Sequence, residues 1–213
     1  LCELVGADIT DVAKGMSYDE RIGARFLNAG IGSGGSCFAK DTKALKFLAK
    51  EHGYQLKTVE ACVDVNSAQK TRLFAKAKER MISFSGLKVA VLGLTFKAGT
   101  DDLREAPSID NLKLLLAAGA DVYAYDPKGV ERSRQLFPEG KLEKGSMTYV
   151  SSIDEALKGA NICFVFTEWP EIKALTPTEF KEKMHTPLVY DGRNLFKPSE
   201  MKEAGVEYYS IGR

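Results

Sequence analysis

Lys88-Val89-Ala90-Val91-Leu92-Gly93-Leu94 is an apolar run too short for a globular helix and rich in branched residues. Such a run reads as an inner strand of a parallel sheet, buried on both faces. From Gly93 onward the chain alternates between helix and strand. The patterning predicts helices over 109–118 (after Pro107 and Ser108, ended by Gly119), 153–158, 177–184 and 199–204, with strands over 121–125, 161–166, 188–190 and 206–210. Alternation of this kind means helices covering both faces of a mostly parallel sheet. Between 126 and 152, Pro127, Pro138 and several glycines leave only weak signals.

Upstream of that run the grammar differs. Residues 1–83 are helix and loop, with a boundary near Phe84-Ser85-Gly86. Two short helical patterns separated at Gly6 open the chain, and Leu1-Cys2-Glu3-Leu4 reads as the tail of a helix begun upstream. One long helix is expected over about 59–82, with Cys62 among its apolar positions as a packed core thiol. The whole is an α/β fold: a helical central segment over 1–83, then a Rossmann-like three-layer α/β domain over 84–213.

The most unusual stretch is Gly30-Ile31-Gly32-Ser33-Gly34-Gly35-Ser36-Cys37-Phe38-Ala39-Lys40-Asp41. So many glycines cannot form a helix or central strand, because each costs backbone entropy and packs no side chain. From Cys37 to Glu51 apolar residues recur at helical spacing, with Ser36 as the expected cap. A thiol in a first helical turn sits among free N–H groups at the positive end of the dipole, which favours the thiolate. Lys40 and Asp41 follow at three and four residues, near the thiol on one side of the helix. These three groups suit covalent catalysis. The same residues also fit a buried structural thiol behind a tight connection.

Composition narrows the rest. Apolar residues make up 44% and charged residues 28% of 213, as in an ordinary globular chain. The formal charge of +1, from 30 basic and 29 acidic residues, advertises neither nucleic acid nor an anionic membrane. Cys2, Cys37, Cys62 and Cys163 are scattered, and with only His52 and His185 beside them they suggest neither a disulfide scaffold nor a metal site. A reducing cytoplasm is expected.

Ligands in open α/β sheets bind beyond the C-terminal strand ends. Three of those ends are dense in polar groups: 93–107, Thr167-Glu168-Trp169, and Asp191-Gly192-Arg193-Asn194. Lys97, Arg104 and Arg193 are placed to converge on an anion, or are solvated loop charges. Gly93-Leu94-Thr95-Phe96 is not a Gly-x-Gly-x-x-Gly turn, so Asp126 is only a weak ribose-binding signal.

Gly34-Gly35-Ser36-Cys37-Phe38-Ala39-Lys40-Asp41, preceded by Asp19-Glu20-Arg21-Ile22-Gly23 and Phe26-Leu27-Asn28-Ala29-Gly30, resembles the active-site region of the UDP-glucose 6-dehydrogenases within the nucleotide-sugar dehydrogenase family. Phe96-Lys97, Asp102-Leu103-Arg104-Glu105, Thr167-Glu168-Trp169 and Asp191-Gly192-Arg193 resemble its C-terminal domain. The resemblance implies NAD as cofactor and oxidation of UDP-glucose, or a related UDP-sugar, to the uronate in two hydride transfers. Cys37 would carry the thiohemiacetal and thioester, and Asp41 would activate the hydrolytic water. Lys40 and Arg104 would lie on the cofactor side. Phe26, Leu27, Asn28, Ala29, Gly30 and the open turn at Gly34 would hold the sugar nucleotide, with Lys97 on the sugar and Arg193 on the nucleotide. Arg21 would reach substrate held by the partner of a homodimer. The family's NAD-binding domain, catalytic lysine and asparagine have no counterpart by motif here. The segment is therefore expected to be inactive alone, or to act as a UDP-sugar-binding and dimerisation module. Ser33 stands where relatives usually carry an aromatic residue and Ala39 where many carry proline, changes expected to alter affinity more than chemistry.

Overall fold

The computed structural model describes residues 1–213. Its helical part comprises α1 (Cys2–Val5), α2 (Ile9–Ser17), α3 (Ser36–Glu51), α4 (Lys57–Lys70) and α5 (Arg72–Arg80). The expected long helix is thus two, parted at Thr71, which leaves helical geometry at φ −101° and ψ 7°. The α/β part then runs β1 (Lys88–Leu92), α6 (Pro107–Ala117), β2 (Asp121–Tyr125), α7 (Val130–Leu136), β3 (Gly140–Lys141), β4 (Ser146–Tyr149) and α8 (Ile153–Leu157). It closes with β5 (Ile162–Val165), α9 (Pro170–Lys173), α10 (Pro177–Lys183), β6 (Leu188–Asp191), α11 (Pro198–Glu203) and β7 (Glu207–Tyr209).

Seven strands form one sheet in the order β3-β4-β2-β1-β5-β6-β7, and every neighbouring pair is parallel except β3 with β4. The mostly parallel α/β architecture read from the sequence is the one observed. β1 is central, Val91 lying beside Ala124 on one side and Phe164 on the other. Its alternate residues feed opposite cores. Val89 and Val91 pack with Phe164, Tyr190, Leu112, Leu115, Leu73 and Ala77. Ala90 and Leu92 pack with Cys163, Val165, Leu157, Phe180 and Met201. Burial on both faces is what made the strand a continuous apolar run.

Helix ends follow local chemistry. α6 begins with Pro107 at a position needing no N–H donor, and Thr176 caps α10 in a reciprocal box with Glu179. Strand order reverses between β1 and β5, so a crevice opens beyond their C-terminal ends. No helix is long and apolar enough to cross a membrane.

Candidate functional site

The loop 26–35 lies over that crevice. Ile31 N–H donates to the Gly192 carbonyl at 2.9 Å, and the Ile31 side chain is fully buried. A Cβ at Gly192 would stand 2.9 Å from Ile31 Cγ2, so glycine there permits the close approach. From the other side, α4 holds the loop by its backbone. Asn66 Oδ1 accepts from Ser33 N–H at 2.7 Å, Asn66 Nδ2 donates to the Ser33 carbonyl at 3.2 Å, and Gln69 Nε2 donates to the Gly30 carbonyl at 2.8 Å. The sequence reading missed Asn66 and Gln69, because an amide side chain that grips a distant backbone leaves no local pattern.

Two cavities flank the loop. The larger, about 560 Å³, is lined by Asn28, Ala29, Gly30, Gly32, Ser33, Glu168, Lys173, Arg193 and Leu195. It therefore gathers four of the expected sugar-nucleotide residues: Asn28, Ala29, Gly30 and Arg193. The smaller, about 170 Å³, lies between α3 and α4 and includes Gly34, Gly35, Lys43, Cys62, Lys70 and Glu105. There Glu105 clamps both helices, accepting from Lys70 Nζ at 2.6 Å and Lys43 Nζ at 3.1 Å. The Glu105 backbone is left-handed at φ 55°, and the Glu105 carboxyl is lowered first by the Lys70 bond. Cys62 is exposed, correcting its assignment to the core: its side of α4 opens on the cavity between α3 and α4 instead of packing against α3.

Arg193 enters the larger cleft from the end of β6 with 18% of its side chain exposed. Its Nε donates to the Phe166 carbonyl and its Nη2 to the Phe96 carbonyl, both at 2.7 Å. Burial pushes the guanidinium pKa down, while the charges of Glu168 and Asp191 oppose that shift. Glu168 Oε2 lies 3.1 Å from Arg193 Nε, yet the single Nε hydrogen goes to Phe166. Glu168 Oε2 thus stays buried without a hydrogen-bond donor, balanced only by the charge of Arg193. Asp191, at the foot of the same turn, accepts from the N–H groups of Arg193 (2.8 Å) and Leu195 (2.6 Å) and from Tyr208 Oη (2.8 Å). Burial raises its pKa against those bonds.

Cys37 is exposed in the first turn of α3. The helix begins at Ser36, one residue earlier than expected, and the cap is Gly35 at φ 85°, with no side-chain cap bond. Lys40 and Asp41 are exposed and pair loosely with each other at 3.7 Å. Arg104 is held by Asp102 through Nε at 2.9 Å and Nη2 at 2.8 Å. Its pKa is raised first by that bond and then by the Asp102 charge. Lys97 is exposed, its Nζ 5.3 Å from the Phe96 ring centre. Of the three strand-end cations, Arg104 is thus held by Asp102, while Arg193 and Lys97 both engage Phe96, at its carbonyl and its ring. Arg21 bonds only to Asp19 and is exposed, Phe26 is 98% exposed at φ 65°, and Leu27 is half-buried outside both cavities.

Asp126 is not free to bind a ribose. Its carboxylate accepts from the N–H groups of Leu94 (2.6 Å), Thr95 (3.2 Å), Lys128 (2.9 Å) and Gly129 (2.6 Å), and from Trp169 Nε1 (3.0 Å). A Cβ at Gly93 would overlap Thr167. The turn after β1 is thus packed against protein, and its amides are taken. No group of three or more His, Cys, Asp or Glu side chains converges to hold a metal ion.

Residues 90–198 match the UDP binding domain of the UDP-glucose/GDP-mannose dehydrogenase family, and residues 1–68 match that family's central domain. The chain is 43% identical over 213 residues to UDP-glucose 6-dehydrogenase YwqF of Bacillus subtilis (strain 168), covering 100% of this chain and 47% of the relative. A solved UDP-glucose dehydrogenase from Pyrobaculum islandicum superposes with a TM-score of 0.81 at 31% identity, over 96% of this chain and 44% of that one. The NDP-N-acetyl-D-galactosaminuronic acid dehydrogenase of Methanosarcina mazei Go1 gives 0.79 at 27% identity, over 100% and 45%. The chain thus spans about half the length of the relatives it matches. The expectation that it binds NAD is corrected by these matches. Neither matched domain is a NAD-binding one, and the turn after β1 offers a dinucleotide no free amides.

Proposed function

Because the chain belongs to the UDP-glucose/GDP-mannose dehydrogenase family, we propose that it is the part of a nucleotide-sugar dehydrogenase that binds the UDP-sugar and presents the reactive thiol, without oxidising the sugar by itself. The observation that carries this reading is the cleft beyond the ends of β5 and β6, one wall of which is the turn leading to Cys37. A volume near 560 Å³ suits a ligand of nucleotide size. Arg193 and Lys173 favour a diphosphate there, and Glu168, which also lines the cleft, brings a carboxylate to the side where a ribose or sugar hydroxyl would lie.

In the assembled enzyme Cys37 would add to the aldehyde-level C6 as a thiolate, giving a thiohemiacetal. Loss of hydride to an acceptor bound outside this chain would leave a thioester, and water positioned by Asp41 would release the carboxylate. Domain roles follow, with 1–83 presenting the thiol and the 28–33 wall of the cleft and 84–213 supplying its strand-end groups. The sugars named for the relatives differ, so a UDP-sugar other than UDP-glucose is a reading of equal standing at the sugar end. Calorimetry of the 213-residue chain with UDP and with GDP tests the proposal. Heat with UDP in excess of GDP, and no uronate from UDP-glucose, is expected; a folded chain giving no heat with either nucleotide counts against it.

One observation favours an additional role in self-association. α3 buries none of its side chains, leaving Phe38 76%, Leu45 49% and Leu48 56% exposed along one side of the helix. An apolar helix face of that kind marks an interaction surface, here with a second copy as a homodimer.

A further inference from the structure

Phe96 touches both halves of the site. Toward the cleft, its carbonyl accepts at 2.7 Å from Nη2 of Arg193, a residue of the cleft wall. On the thiol side, its side chain lies directly against the glycine turn. A Cβ at Gly34 would stand 2.7 Å from Phe96 Cβ, and one at Gly35 would stand 3.0 Å from Phe96 Cε2. Gly35 caps α3, and Cys37 is the second residue of that helix. Hydrogen bonds tie the same residues together by another route. Phe96 N–H donates to the Asp102 carbonyl at 3.1 Å, Asp102 grips the Arg104 side chain, and the Arg104 carbonyl accepts from Gly35 N–H at 2.9 Å.

Resting on the reading of the cleft as a UDP site, we propose that Phe96 is a positioning residue that couples occupancy of the cleft to the reactivity of the Cys37 thiol. The Phe96 carbonyl is a neutral acceptor for Arg193, whereas a diphosphate is a charged one and competes for the same donors with stronger bonds. Drawing Nη2 away from the carbonyl loosens the Phe96 backbone. The ring then moves against a turn that has no side-chain atoms to absorb the shift, because close-packed contacts transmit displacement. The cap of α3, and with it the thiol, is reset by the ligand.

The test is alkylation of the 213-residue chain by iodoacetamide, followed cysteine by cysteine by peptide mass analysis, with and without UDP at a concentration that calorimetry shows to be saturating. Cys2, partly exposed on α1 and outside both cavities, is the internal reference. UDP is expected to change the Cys37 to Cys2 rate ratio about threefold or more in the parent chain, and to lose most of that effect in Phe96→Ala. Phe96→Leu keeps apolar bulk against Gly34 but lacks the ring edge over Gly35, and gives the same answer if Phe96→Ala fails to fold. An equal UDP effect in parent and variants means direct shielding of the thiol and overturns the coupling. So does an unchanged ratio in a parent chain that binds UDP. Absence of binding heat instead removes the reading of the cleft, and the coupling with it.

Discussion

The backbone N–H of Gly35 donates to the carbonyl of Arg104 at 2.9 Å, and this one bond joins the start of the thiol-bearing helix to the loop leaving β1. Gly35 makes it at φ 85°, where an L side chain is strained, and with the Phe96 ring 3.0 Å from where a Cβ would sit. Gly35→Ala is therefore expected to cost about 1–3 kcal/mol, seen as a lower urea midpoint. A midpoint equal to that of the parent contradicts the strained contact.

Asp126 gathers the ends of β1, β2 and β5 on one carboxylate. Replacing it with alanine leaves the buried donors of Leu94, Gly129 and Trp169 unpaired, a loss expected to reach about 3 kcal/mol or more. Trp169 is the chain's single tryptophan, so its fluorescence reports the change at the site itself. A variant with the parent's unfolding curve would show that the carboxylate does not organise the crevice.

Glu3 supplies a pH dependence. Burial pushes its carboxyl up, but bonds from Lys76, Arg72 and the Gly212 N–H more than offset this and lower the pKa from 4.5 to about 2. A depressed acid contributes stability that is complete above its unfolded pKa and lost as the pH falls through the folded one. The stability gap between the parent and Glu3→Gln should therefore shrink between about pH 5 and about pH 2. A gap constant over that range in urea titrations contradicts the assignment.

The exposed apolar face of α3 formed by Phe38, Leu45 and Leu48 predicts self-association. Sedimentation across the micromolar range should show a concentration-dependent dimer, and Leu48→Glu should shift it to monomer. A folded chain that stays monomeric throughout removes the second-copy reading.

Much of the fold was legible from the sequence, for reasons that particular residues make plain. β1 was readable because Val89, Ala90, Val91 and Leu92 are buried on both faces. α7 and the β3–β4 pair were not, because a seven-residue helix and a two-residue edge strand of exposed Gly140 and Lys141 carry too little period. Cys62 was misplaced because periodicity shows which residues share a helix face, not whether anything covers it. Cys37 and Arg193 stood out through the turns that hold them. Asn66, Gln69 and Glu105 act on backbone or charge 33 to 62 residues away, which only the folded chain brings near.

The most direct test of the UDP cleft is an amide proton–nitrogen correlation spectrum of the labelled 213-residue chain titrated with UDP. With UDP seated beyond β5 and β6, the amides of Gly30, Gly32, Gly192 and Arg193 are predicted to shift together and saturably. Shifts confined to another surface, such as the cleft beside Tyr125 and Tyr149, or no shifts at all, would contradict it.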